Sequence, residues 1–458
     1  MGFASLICRC FFNAFLVLLL LVGMAIAEPA APSSDPITRE IITNPQANPS
    51  LQGWGQLGRM LGLSEESGIR LGGLFDPQFD WMVSGGVRPH STFGSLALAL
   101  NLGVDTKKTL GIPGGTFGVE FLEYTGGATN RAAGSVQLYD GLNGPPPRSR
   151  QQLEQLWWHQ RLFDDKLIFQ IGKMNAGGIF DAVLFPVTIN NPKLQDTDIS
   201  VLIMVPPGIN PTMLGRLPIY PNTAWGAAVH FAPTKNLYAS YGIFDGNAAR
   251  GVQTGLRAEP RINSYKFHVG ELGATWLLGA ERMPGKFGIG GWKQTGELFT
   301  PHLTKQNGAT GYYLFANQRL WYRHPDRDNS GLVGYLQFAD TSDNAAMANT
   351  YVGAGLTAVG LAPVLPYNRL SVGMAWSRLN DAPLAGAFFF PEVQSDSTGL
   401  RASELMLQMA LQTTFVFPLP RGFWTLSAAA AYTYIPTPGE RPDLPAAHVL
   451  TARLVALF

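Results

Sequence analysis

The sequence predicts an all-β fold: a transmembrane antiparallel β-barrel of sixteen strands with a short N-terminal helix and an inward-folded third loop. Three observations lead to this prediction. The chain begins with a secretion signal, it alternates apolar and polar residues over membrane-crossing lengths, and its connections are alternately short and long. A large periplasmic or extracellular β-sandwich would share the signal and the alternation, so strand length, loop asymmetry and the last strand must separate the two folds.

The first 27 residues have the order of a secretory signal peptide. Arg9 precedes an apolar run over residues 11–26, which ends in Ala25-Ile26-Ala27. A positively charged N-terminal region, an apolar segment and small residues at its end predict cleavage by signal peptidase near Ala27. Both cysteines of the chain lie in this segment. The mature chain is therefore expected to have neither a disulfide framework nor a cysteine-ligated metal site.

The composition excludes some classes of function. The chain has 33 Lys and Arg against 32 Asp and Glu, so no basic field exists to attract nucleic acid. Hydrophobic residues make up 46% of the chain and charged ones only 14%, yet no run of about 18 apolar residues follows the signal. A closed barrel explains this combination, because only alternate residues of its strands face lipid.

The mature chain divides into two parts. Residues 28–66 are predicted to be a Pro-rich leader that ends in a short amphipathic helix, and residues 67–458 are predicted to form the barrel. The helix prediction rests on apolar residues at helical spacing, namely Leu51, Trp54, Leu57 and Leu61. Such a helix could lie in the periplasmic mouth of the barrel or on its surface, and the sequence leaves both open.

The alternation is clearest in residues 95–104, 370–377 and 404–412. In the first of these, leucine occupies every second position from Leu96 to Leu102, with small or polar residues between. About ten residues in an extended, tilted strand are enough to cross a membrane. Counting similar segments gives about sixteen strands. Those that contain Pro77 and the alanine run at 428–431 fit the pattern least well.

The connections alternate in length. A barrel inserted from the periplasm has short turns on that side and long loops outside, whereas a sandwich has no reason to sort its loops in this way. The short ones include 164–166, 233–236 and 418–422, and the long ones include 125–151, 245–264 and 379–402.

The last strand supports the same fold. From Leu450 to Phe458 alternate residues are apolar, and Arg453 lies on the other face. An arginine that faces lipid at the midplane would cost about 2–4 kcal/mol, so Arg453 is expected to face the lumen and Phe458 the outer aromatic girdle. A terminal Phe on such a strand is typical of the signal that the barrel-assembly machinery reads.

Several segments resemble the carbohydrate-selective porin family (OprB-type). The resemblance implies an outer-membrane barrel of sixteen strands that lets mono- or oligosaccharides diffuse inward across the Gram-negative outer membrane. The sequence departs from the family at the alanine run 428–431, where the family has a polar strand, and at His159, where it has an acidic residue. The matching segments are 53–58 with 67–69, 101–105 with 114–117, 153–160, 163–167, 171–176, 290–292 and 313–318.

One long connection is predicted to narrow the pore. Residues 175–222 hold seven prolines, together with Ile, Leu, Met and Tyr residues that argue against disorder. In a count of sixteen strands this segment is the third external loop, which in general porins folds into the lumen. We therefore expect an inward-folded constriction, and the alternative is a flap on the surface.

The strand registers predict which side chains line the pore. Charged or amide residues within strands should face the lumen, because lipid penalises them. Arg and Glu can exchange hydrogen bonds with sugar hydroxyls, and the ring of Trp157 can lie against the C–H face of a pyranose, provided that binding stays weak. These charges could instead pair across strands and stiffen the wall. The candidates are Glu120, Gln155, Trp157, His159, Arg161, Lys173, Glu271, Lys293, Arg319 and Arg323.

Lys173 is the ambiguous member of this set. Strict alternation places it outward, but it lies at a strand end next to a glycine, where a bulge or the rim of the barrel could accommodate it.

No motif supports catalysis, a metal or a cofactor. Residues 326–337 imitate a calcium loop, but Gln337 stands where the final Glu belongs, and neither H-E-x-x-H nor G-x-S-x-G occurs. The first hypothesis is a carbohydrate diffusion porin. The alternatives are a general diffusion porin or a structural or export-associated barrel, with an enzyme third. The expected partners are sugar solutes, outer-membrane lipid and the barrel-assembly machinery, and a homo-oligomer is left open.

Overall fold

The computed structural model describes residues 55–142, 147–184, 201–300, 304–325, 330–360, 368–380, 399–419 and 422–458. In these residues sixteen antiparallel strands form one closed barrel. Each strand pairs with its neighbours along the chain, and the last pairs with the first. The predicted fold class and strand number are confirmed.

The first eight strands are β1 (Ile69–Ser84), β2 (Thr92–Asp105), β3 (Gly115–Thr125), β4 (Ser149–Leu162), β5 (Leu167–Met174), β6 (Ala224–Phe231), β7 (Leu237–Asp245) and β8 (Lys266–Leu278). The other eight are β9 (Met283–Phe299), β10 (Lys305–Tyr322), β11 (Gly331–Thr341), β12 (Ala348–Val359), β13 (Arg369–Leu379), β14 (Ser403–Leu419), β15 (Gly422–Ile435) and β16 (Ala447–Leu457). Both weakly predicted segments are strands, β1 around Pro77 and β15 with the alanine run.

The helices are short. They are α1 (Gln56–Met60), α2 (Thr106–Leu110) and α3 (Thr129–Ala133), with 3-10 turns at Glu65–Ser67, Pro211–Met213, Asn247–Arg250 and Thr254–Leu256. In the part of the chain that the structure describes, no helix has the length and apolar content to cross a bilayer.

Alternation along each strand decides which side chains face outward. On β2, Leu96, Leu98 and Leu100 keep part of their surface exposed on the outer face, whereas Ala97 and Ala99 are buried inside. The same pattern recurs around the barrel, so large apolar side chains cover the outside and most buried polar ones point inward. This is the arrangement in which lipid meets only apolar groups.

The barrel closes between β1 and β16. Inside, Arg453 Nε donates to Asp76 Oδ1 at 2.8 Å. Outside, the backbone of Phe458 exchanges two hydrogen bonds with Gly73, and a Cβ at Gly73 would lie 2.9 Å from the Phe458 ring. Arg453 and Phe458 therefore have the orientations that the alternation of the last strand predicts.

The two ends of the barrel differ. Turns such as 163–166, 232–236 and 279–282 lie at one end, here called the short-turn end. The connections 126–148, 175–223 and 246–265 lie at the other, here called the long-loop end.

Helix α1 lies inside the mouth at the short-turn end. It packs against β1 and β15, and Gln56 Oε1 accepts a hydrogen bond of 3.1 Å from Phe423 N. The sequence left two positions open for this helix, the mouth of the barrel and its surface, and the structure places it in the mouth. The described helix ends at Met60, two residues before the predicted end, and the predicted positions 51–54 lie outside the described residues.

Candidate functional site

The third loop spans residues 175–223, and the parts of it that the structure describes fold into the lumen. Its described parts, 175–184 and 201–223, are largely buried and reach from β8 to β14. Glu271 accepts a hydrogen bond of 2.9 Å from Asp181 N, and Asn317 Nδ2 donates to Val183 O at 3.0 Å. On the far wall Gln408 Oε1 accepts from Ile203 N at 2.7 Å. Polar side chains of the wall therefore hold the loop by its backbone.

A buried ion pair adds to this attachment. Arg216 of the third loop donates from Nε to Asp343 Oδ2 at 2.7 Å, and both side chains are fully buried. Asp343 lies between β11 and β12, so the pair links the third loop to a neighbouring connection at the same end of the barrel. Loss of one partner would leave a buried charge without compensation.

The second loop spans residues 126–148, and its described residues up to 142 also fold inward, which was not predicted from the sequence. Its Ser135 Oγ and Val136 N donate to the Glu404 carboxylate on β14, at 2.8 and 2.7 Å. It also contacts the third loop, because Gly141 N donates to Ile203 O at 3.0 Å. A signal was present in the sequence, since Glu404 is the one carboxylate on the lumen face of β14.

At the short-turn end the wall is not covered in this way. A cavity of about 430 Å³ lies against β1–β4 and helix α1. Basic, acidic, amide and aromatic side chains face one another around it, the mixture expected where sugar hydroxyls and C–H faces are contacted in turn. The polar and aromatic residues that line it include Arg59, Arg70, Asn101, Glu120, Gln155 and Trp157.

A glycine gives the ring of Trp157 its space on the inner face. Trp157 on β4 pairs with Gly118 on β3, and a Cβ at Gly118 would lie 2.3 Å from the indole ring. The missing side chain lets the ring lie against the wall. The imidazole of His159 stands edge-on to the indole, with ring centroids 6.4 Å apart.

Glu120 and Gln155 connect the cavity to the third loop. Gln155 Nε2 donates to Glu120 Oε2 at 3.3 Å, and Gln155 Oε1 accepts from Asn175 N at 3.1 Å. The first residue of the third loop is therefore held by the same amide that contacts the cavity carboxylate. Of the predicted residues, Glu120, Gln155 and Trp157 meet at the cavity, and His159 lies beside Trp157.

Three predicted residues lie elsewhere on the inner side. Glu271 is buried beneath the third loop and also accepts from the hydroxyl groups of two tyrosines. Arg319 is buried on the inner face of β10, with its guanidinium 4.8 Å from the centre of the Tyr322 ring. Arg161 lies near the short-turn end, 3.9 Å from Asp165.

Lys173 is held at the other end of β5. Its ammonium group donates to Leu153 O and, at 2.8 Å, to Gly255 O. The side chain is fully buried under the connection between β7 and β8. Lys173 therefore contacts neither the open lumen nor lipid, and its ammonium group holds the connection between β7 and β8 against the wall.

Two predictions need correction. Lys293 pairs with His268 and Thr310 on the exposed outer face of β9, because its neighbour Trp292 takes the inner face. A lysine near the edge of the apolar band can extend its ammonium to the head groups, so lipid does not exclude it there. Arg323 lies beyond the end of β10, in the turn to β11, where its Nη1 is 3.4 Å from Gly360 O.

The electrostatics of the third loop centre on Asp181. Burial raises the pKa of this carboxyl to about 7, and the negative charge of Glu271 adds to the effect. Hydrogen bonds from Asn210 and Gln337 oppose the shift without cancelling it. Among the described residues, no group of three or more His, Cys, Asp or Glu side chains could hold a metal ion.

Comparisons with known proteins agree with this architecture. A family model described as carbohydrate-selective porin, OprB family, matches residues 94–400. A comparison with curated proteins finds no match. The chain is similar to the high-pH structure of Pseudomonas putida OprB, with 16% identity, a TM-score of 0.71, and 89% of this chain and 99% of that chain covered. For the low-pH structure the values are 14%, 0.52, 88% and 97%. At such identities the two structures support the fold alone.

Proposed function

The chain belongs to the carbohydrate-selective porin (OprB) family, and from this premise we propose that sugars are contacted at the cavity around Trp157, Glu120 and Gln155. The protein is an outer-membrane channel that lets carbohydrates diffuse passively into the cell. The observation that carries the proposal is the cavity itself, where an indole ring and groups of both charge signs surround one space.

The chemistry of the cavity suits weak, repeated binding. The indole of Trp157 offers a flat apolar surface to the C–H face of a sugar ring. Arg70 offers donors and Glu120 an acceptor for hydroxyl groups on either side. Because charges of both signs are present, the site has no strong preference for ions of one sign. Each contact with a sugar is weak, so a solute can leave as readily as it enters.

The third and second loops are proposed to form the constriction above this cavity. Both are held in the lumen by wall side chains, and Gln155 joins the third loop to the cavity. A sugar that passes the loops would next meet Trp157. Entry from the long-loop end follows from the usual insertion of such barrels, whose short turns face the periplasm.

The route of the chain to the membrane completes the proposal. Residues 1–27 are proposed to be a signal peptide that is removed near Ala27. The strand β16, with Phe458 on the outer face, is proposed to be recognised by the barrel-assembly machinery.

Sugar block of ion current tests the proposal. Purified protein is inserted into planar bilayers, and glucose or maltose is titrated against the current. We expect concentration-dependent block, and we expect Trp157→Ala to raise the half-blocking concentration about tenfold, the loss of roughly one good aromatic contact. Trp158→Ala is the matched control, because the neighbouring ring belongs to the outer face of the same strand.

The alternatives give different outcomes. A stable current that is indifferent to sugars would indicate a general diffusion porin, and no current would indicate a plugged structural barrel. Equal effects of the two tryptophan variants would leave the channel function intact but contradict the placing of the sugar contact at Trp157.

A further inference from the structure

A group of basic side chains lies on the outer face of the barrel near the long-loop end. Lys266 and His268 on β8 and Lys293 on β9 all point outward, and both lysines are exposed. His268 pairs directly with Lys293 across the two strands. These three residues, here called the basic patch, take no part in the lumen or its loops.

The patch lies at the border of the apolar band. On β9 the outward residues change from Phe287 and Ile289 to Lys293. Tyr241 on β7 and Tyr312 on β10 are about half exposed on the same face, at 47% and 49%. Tyrosines in this position mark the boundary between acyl chains and head groups. The basic patch is therefore at the level of the outer-leaflet head groups.

The two lysines are not neutralised by the protein. In the described parts of the chain neither forms an ion pair. Asp245, which is opposite Lys266 in the strand ladder, binds Arg257 instead. Glu297, further along β9, pairs with Lys305 at 2.9 Å. The acids nearest to the patch along the strands are thus already engaged.

His268 is oriented for a further partner. Its Nδ1 lies 2.7 Å from the hydroxyl of Tyr241, which fixes the plane of the ring. The other ring nitrogen, Nε2, has no hydrogen bond among the described residues. An acceptor in the head-group layer could take a hydrogen bond from Nε2–H while the two ammonium groups contact its other oxygens.

We propose that the basic patch binds a phosphate group of an outer-leaflet lipid. A phosphate offers several anionic oxygens to Lys266, His268 and Lys293, and the apolar residues beneath the patch offer a surface for the acyl chains of the same molecule. A second copy of the chain fits less well, because a twofold contact would bring two basic patches together.

Binding of a matched pair of lipids tests this inference. Full-length protein in neutral detergent micelles is titrated with a fluorescent diphosphorylated acyl-disaccharide, the lipid A type of lipid, and with its dephosphorylated form. We expect clear preference for the phosphorylated lipid. The double variant Lys266→Gln/Lys293→Gln should weaken its binding about tenfold or more, since each basic side chain near an anionic head group contributes measurably to affinity.

A control at another exposed basic residue is available four strands along the wall from β9. Arg378 on β13 is also exposed near the long-loop end, but its guanidinium lies 4.0 Å from Asp340. Arg378→Gln should therefore leave lipid binding unchanged within about twofold. Sugar block of the current should be the same in the native protein and in both variants, which shows that each is folded and separates this inference from the proposed function.

Several results would overturn the inference. They are equal binding of both lipid forms, equal losses in the patch and Arg378 variants, or tight binding of inorganic phosphate in micelles that lack the lipid. A change of oligomeric state in the double variant, with lipid binding intact, would identify the patch as a subunit contact and would also overturn it.

Discussion

The inside of the barrel has two regions that carry the same kinds of side chain and use them differently. Along β8–β14 at the long-loop end, buried polar groups such as Glu271, Gln408 and Glu404 bind the backbone of the second and third loops. Along β1–β4 at the short-turn end, Glu120 and Trp157 border a cavity. A polar residue on the lumen face is thus either an anchor or a solute contact, depending on whether a loop reaches it.

The strongest test of this contrast is to remove an anchor. Arg216→Ala leaves Asp343 buried and unpaired, which should weaken the attachment of the third loop by about 3–5 kcal/mol. We expect a lower midpoint in urea unfolding and a noisier single-channel current. Arg161→Ala is the control, because its contact with Asp165 is partly exposed and contributes about 0–1 kcal/mol. Similar losses in both variants would remove the distinction between buried anchors and the more open wall.

The second test uses pH. The pKa of Asp181 is raised from 3.8 to about 7 in the packed loop, so the packed state favours the protonated carboxyl. The contribution of this group to loop packing should be complete below about pH 4, fall as the pH rises to about 7, and change little above that. Current noise recorded across this range should increase with pH, and Asp181→Asn should flatten the profile. A native profile as flat as that of the variant would contradict the assignment to Asp181.

The smallest expected effect concerns the cavity. Gly118→Ala would place a Cβ 2.3 Å from the Trp157 ring and force the ring to move. We expect glucose block to weaken by a few fold while urea unfolding stays nearly unchanged, since no anchor is touched. Gly103→Ala is the matched control, because Gly103 pairs with Gly118 on the same face and a Cβ there would meet only Arg70 at 3.9 Å. An equal effect of both variants would indicate that loss of cavity space matters rather than ring position.

Which face a residue occupies could be predicted wherever the alternation is regular. Leu96 to Leu102 and Arg453 have the orientations that their strands predict. The prediction failed for Lys293, because the glycines at 288, 290 and 291 hide the register of β9 and because a charge at the edge of the apolar band costs little.

Whether a loop folds into the lumen could be predicted only in part. The prolines and apolar residues of 175–222 led to the prediction of an inward fold, whereas no such prediction was made for the shorter second loop. Its path depends on Glu404, which is distant in sequence and is brought near only when β14 joins the barrel. The cavity depends in the same way on Arg59 and Arg70, which no local pattern assigned to the site.

The amino-acid order by itself determined the barrel, its strand number and most inside–outside assignments, because the period of two is a local property that lipid on one side makes strict. Only the tertiary structure decided which lumen residues anchor loops, which border the cavity and which remain available to lipid. Those roles depend on contacts between segments far apart in the chain, and such contacts leave no periodic trace in the sequence.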